Sequence, residues 1–296
     1  MPPADLAFRV PGTLGEALAE LTGEEDVIAM GGGTSVGLLL KNDLIQPRRI
    51  VWLARISELR QLGGGPGGEL TLGATVSLRE LAGSAAVRRQ FPALAYAAGR
   101  VGNPRVRAVA TVGGALAHSD ARQDLPPILY ALQARVLIQG PEGTREVPVA
   151  EFHTGFMETV LAPDELVTGV VIPPVTGRRA AYARFNPGSR DDYPTVSAAA
   201  SVVRDGDGLV TSAVLALGGV GGTPLLVPAA SGLVGAAAGP AEVAEVAAAA
   251  ETTAEPYDDQ RGSARYKKAM AREWAARVLR ACLDDTGPPE PDVVAG

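Results

Sequence analysis

The sequence predicts an α+β protein built in two parts, and three observations predict it. Short apolar β-compatible runs and helix-period segments are interspersed through the first half of the chain. PPVTGRR (173–179) then interrupts any regular element with two prolines and a glycine. Beyond it, three further β-compatible runs are followed by two helical ones. A length of 296 residues is itself that of two domains.

In chain order, TLGEALAEL (13–21) carries leucines and alanines at helical spacing. Thr13 with Glu16 three residues later makes a capping box. VIAM (27–30) is a short strand that runs into GGGTSVGLLLK (31–41), and RRIVWLA (48–54) is the next strand. ELTLGATVSLREL (69–81) reads as strand, turn and helix, with GGGPGG (63–68) before it as a hairpin connection. Residues 91–101 are helical and enter the segment 101–132. ARVLIQG (134–140) and REVPVAEF (145–152) alternate as strands, and LVTGVVIP (166–173) closes the first part. In the second part, AAYARF (180–185), TVSAAASVV (195–203) and VTSAVLALGGV (210–220) are joined by polar turns such as RDGDG (204–208), which predicts a small antiparallel sheet. Residues 240–251 and 263–283 are helical. In the latter, Tyr266, Met270, Trp274, Val278 and Cys282 recur every fourth residue and form one face. The C-terminal tail, DTGPPEPDVVAG, reads as disordered.

Composition excludes several classes of function. The net charge is -6 and no basic tract stands out, which argues against a nucleic-acid partner. Cys282 is the single cysteine, so the chain holds no internal disulfide and no four-thiolate cluster. Two histidines, His118 and His153, cannot build a histidine-rich metal centre. The N-terminus lacks a basic region followed by an apolar stretch, and no apolar run is long enough to span a bilayer. The expectation is a soluble, cytoplasmic protein that borrows an organic cofactor for any redox chemistry.

The informative feature is a pair of glycine-rich loops, AMGGGTS (29–35) and TVGGAL (111–116). Consecutive glycines let the backbone take positive φ and approach a ligand closely. Successive N–H groups then line an anion-binding concavity. Thr34, Ser35 and Thr111 add hydroxyls, so two such loops facing one another would hold a pyrophosphate without a lysine. Neither loop is a P-loop or a G-x-G-x-x-G fingerprint: Val36 stands where the third glycine would be. Singly, each is equally well read as a turn that needs positive φ.

The sequence resembles the FAD-binding medium subunits of the molybdenum hydroxylases, the family of aerobic carbon monoxide dehydrogenase and xanthine dehydrogenase. The resemblance is carried by AMGGGTSVGLLLK (29–41), TVGGALAHSDARQDLPPILYAL (111–132), FHTGFMETVLAPDELVTGVVIP (152–173), SRDDYPTVSAAASV (189–202), LGGVGGTPLLV (217–227) and DQRGSARYKKAMA (259–271). It implies a vanillyl-alcohol-oxidase-type FAD-binding fold over residues 1–175, in subdomains of about 1–55 and 56–175. A C-terminal domain over 178–285 would carry a three-stranded antiparallel sheet with helices, and 286–296 the tail. Position by position, Gly31, Gly32, Gly33, Thr34 and Ser35, and Thr111 to Gly114 with Gly113 between them, would cradle the pyrophosphate. Asp124 would lie near the adenosine ribose. Tyr193 would lie near the isoalloxazine ring with the acidic Asp192 before it, and Lys41 matches the lysine that often ends the first motif. Two departures stand out. Ala115 replaces the asparagine common after the second glycine pair, and FNPGSRD (185–191) replaces a basic, aromatic-rich run before Asp192.

The resemblance implies no acid or base catalyst from this chain. A large molybdenum–pterin subunit would act on the organic substrate, a small subunit with [2Fe–2S] clusters would relay electrons to FAD, and the flavin would pass them to NAD, quinone or oxygen. A stand-alone FAD-dependent oxidoreductase and a scaffold that has lost FAD are the alternatives. Outside these motifs, His118 reads as a solvated loop histidine or a ligand neighbour, and Asp120 as a helper of Asp124 or a helix cap. His153 and Cys282 read as structural. Arg105 and Arg107 read as solvated arginines or as contacts to phosphates or a partner.

Overall fold

The computed structural model describes residues 6–23, 26–65, 67–174, 176–189 and 191–284; the tail expected over 286–296 lies outside them. Strand β1 (Ala7–Arg9) is followed by helix α1 (Leu14–Leu21), β2 (Val27–Met30), helix α2 (Thr34–Lys41) and β3 (Arg49–Trp52). The predicted capping box is present: Thr13 Oγ1 accepts from Glu16 N, and the Glu16 carboxylate takes the Thr13 amide. The three strands form a parallel sheet in the order β1-β3-β2, with α1 burying Ala17, Leu18 and Leu21 against Val51. Helix α2 buries none of its residues fully.

The next unit begins with the hairpin β4 (Leu62–Gly64) and β5 (Leu70–Gly73), so two of the glycines expected in its connection belong to a strand. Five short helices follow: α3 (Leu78–Gly83), α4 (Ala85–Gln90), α5 (Pro92–Arg100), α6 (Pro104–Val109) and α7 (Val112–Ala117). Their starts are set by side chains that accept first-turn amides, from Ser77, Ser84, Asn103 and Thr111, or by a proline at the first helical position. Helix α8 (Leu125–Ala131) is buried along its whole length. Strands β6 (Arg135–Gly140) and β7 (Gly143–Pro148) form a hairpin. The second run expected as strand then turns into the short helix α9 (Val149–Phe152), whose Phe152 is fully buried. A small hairpin, β8 (His153–Gly155) and β9 (Glu158–Thr159), precedes β10 (Leu166–Ile172). The chain then closes a five-stranded antiparallel sheet, β4-β5-β10-β6-β7.

The second half holds β11 (Arg179–Phe185), β12 (Val196–Arg204) and β13 (Val210–Gly218), a continuous antiparallel ladder. A two-residue edge strand, β14 (Leu225–Leu226), makes the sheet four-stranded rather than the three expected. Two residues carry no alternation, so this strand left no mark in the sequence. Helices α10 (Pro240–Thr253) and α11 (Ala264–Leu283) cover one face. Of the predicted stripe on α11, Trp274, Val278 and Cys282 are buried, while Tyr266 at the first turn is 38% exposed. The other face meets the first half: Tyr182, Ala199 and Ala216 join the core around α8. That junction brings the β11–β12 loop to Arg122, between the second glycine segment and α8.

Candidate flavin site

The two glycine loops meet. A Cβ added to Gly32 would stand 1.6 Å from the Val109 carbonyl oxygen, and one on Gly31 would stand 2.5 Å from Thr111 Oγ1. Only a hydrogen at these positions lets the first loop seat on the second. Gly33 has φ +73, the left-handed region, and turns the chain into α2. The Trp52 indole N–H holds the Gly31 carbonyl at 2.9 Å, tying the loop to the end of β3. No side chain caps the first turn of α2, so the amides behind Gly33 are left for an acceptor from outside. Thr34 is exposed there and Ser35 half-buried.

The second loop differs. Val112 N donates to Val76 O at 3.0 Å and Gly113 N to Ala74 O at 2.8 Å. Gly114 N donates to Thr111 Oγ1 at 3.1 Å. These three amides belong to the protein's own hydrogen bonding and line no anion concavity, and the Thr111 hydroxyl is the N-cap of α7. The fit to a pyrophosphate therefore rests on the uncapped start of α2, with the second loop as its opposite wall.

Tyr193 is carried by the β11–β12 loop to the segment that follows the second glycine loop. Its ring lies under the Arg122 guanidinium, 5.3 Å from the ring centre. Arg122 is held by Asp120 in a two-pronged contact of 3.0 and 2.8 Å. Burial raises the Asp120 carboxyl and the Arg122 contacts more than offset it, so the group sits below its ordinary range. Asp120 thus positions Arg122 rather than capping α8. Asp192 Oδ1 accepts from the Tyr193 amide at 2.7 Å and from Arg261 at 3.0 Å. Burial lowers the half-buried His118, partly offset by the charge of Asp120.

Asp124 is 3% exposed. Its Oδ1 accepts the Tyr182 hydroxyl at 2.6 Å and lies 3.3 Å from Arg184 Nε. Burial raises this carboxyl, and Arg184 and Tyr182 pull it back in part. Arg107 donates to the carbonyls of Val101 and Gly102 and so finishes α5, while Arg105 is exposed on α6. Lys41, the last residue of α2, is exposed. His153 is buried against Tyr130, with Nδ1 3.0 Å from the tyrosine hydroxyl. The sequence reading missed Arg122, Arg184 and Arg261. Arg184 had a signal, a cation in the otherwise apolar strand AAYARF.

Two glycine loops interlocked beside an uncapped helix start fit a protein that binds a dinucleotide cofactor. Residues 4–175 match the FAD binding domain in molybdopterin dehydrogenase, and residues 180–282 match the CO dehydrogenase flavoprotein C-terminal domain. The chain belongs to the FAD-binding subunits of the molybdenum hydroxylase family and is an FAD-dependent oxidoreductase subunit. It is 32% identical to the carbon monoxide dehydrogenase medium chain of Hydrogenophaga pseudoflava over 285 residues, covering 95% of this chain and 98% of that one. It is 30% identical over 223 residues to the xanthine dehydrogenase FAD-binding subunit of Escherichia coli O157:H7, 74% of this chain and 75% of that one. The solved carbon monoxide dehydrogenase of H. pseudoflava superposes with a TM-score of 0.91 at 32% identity, covering 95% and 98% of the two chains. Quinoline 2-oxidoreductase of Pseudomonas putida 86 superposes with 0.88 at 29% identity, covering 96% and 98%.

Proposed function

We propose that the chain is the electron-transfer subunit of a three-part molybdenum hydroxylase complex. It would accept electrons from a small [2Fe–2S] subunit and deliver them to NAD, quinone or oxygen, while a large molybdenum–pterin subunit acts on the organic substrate. The observation that carries the reading is the seating of Gly31 and Gly32 on Val109–Thr111, which leaves the start of α2 open toward the same space. Relatives named as medium chains of carbon monoxide dehydrogenase and nicotine 6-hydroxylase support a multi-subunit setting. In this reading the fold is of the vanillyl-alcohol-oxidase type, with residues 1–175 as the cofactor half and 178–285 as the half that covers the flavin.

Bound FAD supplies the two-electron redox centre. Everything else falls to the chain. The amides of Thr34 and Ser35 and their hydroxyls would donate to the pyrophosphate, helped by the helix dipole of α2. Gly31, Gly32 and Gly33 give the close approach. Thr111, Gly113 and Gly114 form the facing wall. Tyr193 would cover one face of the isoalloxazine and keep water from it. Asp192 and Arg261 hold its loop. Asp124 commits Oδ1 to Tyr182 and Arg184, and Oδ2 is the oxygen this reading assigns to a ribose hydroxyl. No side chain is required to move a proton, which suits a site whose task is to bind and orient.

The test is purification of the tagged chain from its native source under mild conditions. We expect flavin absorption, FAD released on acid treatment, and two co-purifying subunits carrying molybdenum and iron. A preparation that releases no FAD on acid treatment and takes up none when it is added, from a chain that still has its partners, overturns the reading.

A further inference from the structure

Three acceptors from segments far apart in sequence converge on the side chain of Arg184. Its Nε lies 3.3 Å from Oδ1 of Asp124, at the start of α8. Its Nη1 donates to the carbonyl of Arg100, the last residue of α5, at 2.5 Å. Its Nη2 donates to the carbonyl of Asp192, one peptide bond from Tyr193. The side chain is 4% exposed, and the Asp192 carbonyl it reaches stands at the surface. A guanidinium alone among side chains offers N–H donors on several edges of one rigid plane.

Arg184 differs in kind from the other ties on the Tyr193 loop. Asn186, which donates to the Tyr193 carbonyl at 2.9 Å, belongs to the loop itself. Arg261, which holds the Asp192 carboxylate, belongs to the same C-terminal half. These two fix the loop relative to its own sheet. Arg184 reaches back to α5 and α8, which belong with the glycine loops. It refers the Tyr193 backbone to the half that would hold the cofactor. The ring contact with Arg122 comes from that half too, but it acts on the side chain and leaves the backbone alone.

We propose that Arg184 is the positioning residue that sets where Tyr193 stands over the flavin, by clamping the Asp192–Tyr193 peptide to α5 and α8. The proposal rests on the reading above that Tyr193 covers the isoalloxazine. Lysine at position 184 keeps the charge but presents a single ammonium, which cannot span three acceptors around a plane. The loop would then settle on its own sheet, and the ring would leave its place against the flavin.

The experiment compares Arg184→Lys, Tyr193→Ala and the double variant in the complex purified from its native source. FAD released per chain reports on cofactor binding. A redox titration at the flavin band reports the midpoint potential, which an aromatic ring on the flavin face shifts. Arg184→Lys is expected to keep its FAD and to move the potential in the direction of Tyr193→Ala, by most of that variant's shift. The double variant is expected to add nothing to Tyr193→Ala, because residues acting through one another are not additive. A wild-type potential in Arg184→Lys overturns the proposal, and so does a further, additive shift in the double variant. FAD-replete complexes with either result leave the flavoprotein reading standing, whereas a wild-type complex without FAD removes both. If Arg184→Lys does not assemble, Arg184→Gln, which keeps an amide donor but cannot reach three acceptors around one plane, takes its place, and the same two comparisons decide.

Discussion

Gly32→Ala separates the interlocked-loop account from a general preference for glycine in turns. The new methyl carbon would stand 1.6 Å from the Val109 carbonyl oxygen and 2.4 Å from the carbon behind it. A close C···O contact is about 3.3 Å, so the loops must part by roughly 1.7 Å. The obstacle is backbone and cannot rotate away, so the cost falls at the upper end of the ~1–3 kcal/mol typical of overpacking. If that strain is felt at the cofactor site, FAD affinity falls about tenfold to a hundredfold, at ~1.4 kcal/mol per decade. Gly37→Ala is the control within the same motif. Nothing lies within 4 Å of its added Cβ, and the position is inside α2. Alanine there is expected to stabilise the helix by ~0.5–1 kcal/mol and leave FAD content unchanged. The assay is FAD retained after gel filtration of each complex, alongside its thermal midpoint. Wild-type FAD retention and midpoint in Gly32→Ala would refute the reasoning, because the two loops would then have room that the structure denies them.

Three further outcomes are expected. Thr111→Val keeps the shape but removes the acceptor for Gly114 N, and should cost ~1 kcal/mol in urea unfolding; an unchanged midpoint would remove Thr111 as the cap of α7. Burial lowers His153 to about 4, partly offset by the carbonyls of Leu116 and Val149, against an ordinary value of 6.5. The unfolded chain therefore takes up this proton first. The stabilisation is fully present above pH 6.5 and is lost as pH falls toward 4, with an upper bound of ~3 kcal/mol. His153→Gln should flatten the stability profile across that window, and an unaltered slope would count against a buried neutral imidazole. Burial pushes the Cys282 thiol up to about 12. It should resist a thiol-specific reagent in the native protein and react once guanidinium is added, and rapid native labelling would show that α11 opens readily.

Much of this architecture was legible because local chemistry declared it. Thr13 and Glu16 announced α1, and the apolar runs LVTGVVIP and TVSAAASVV announced strands that the structure contains. The glycine triplet marked a loop that needs positive φ, and Gly33 has it. Less legible were elements whose stability comes from elsewhere. Helix α2 follows the glycines, but Leu38, Leu39 and Leu40 are consecutive and show no single face, and Leu38 is 53% exposed. Strand β14 is too short for any period. The division of labour between the loops was hidden too. Nothing in TVGGAL says that its amides are spent on Ala74 and Val76, some forty residues upstream. The partners of Asp124 lie at 182 and 184, so a pattern read along the chain placed the residue but could not supply its bonds. Interactions with no fixed spacing are settled by tertiary packing, and periodicity carries no record of them.

The junction through Asp124 also limits how freely the two halves can be exchanged. Asp124 and the Arg100 carbonyl sit on one side of the seam, and Tyr182 and Arg184 on the other. A chimaera that joins 1–175 of this chain to the C-terminal half of a relative with different residues at the two strand positions would strand a buried carboxylate, at a cost of ~3–5 kcal/mol. A graft cut at the proline-rich connection thus succeeds or fails on three side chains, Asp124 far upstream of the cut and Tyr182 and Arg184 just past it. The two halves therefore have to match at this seam, although each matches a family of its own.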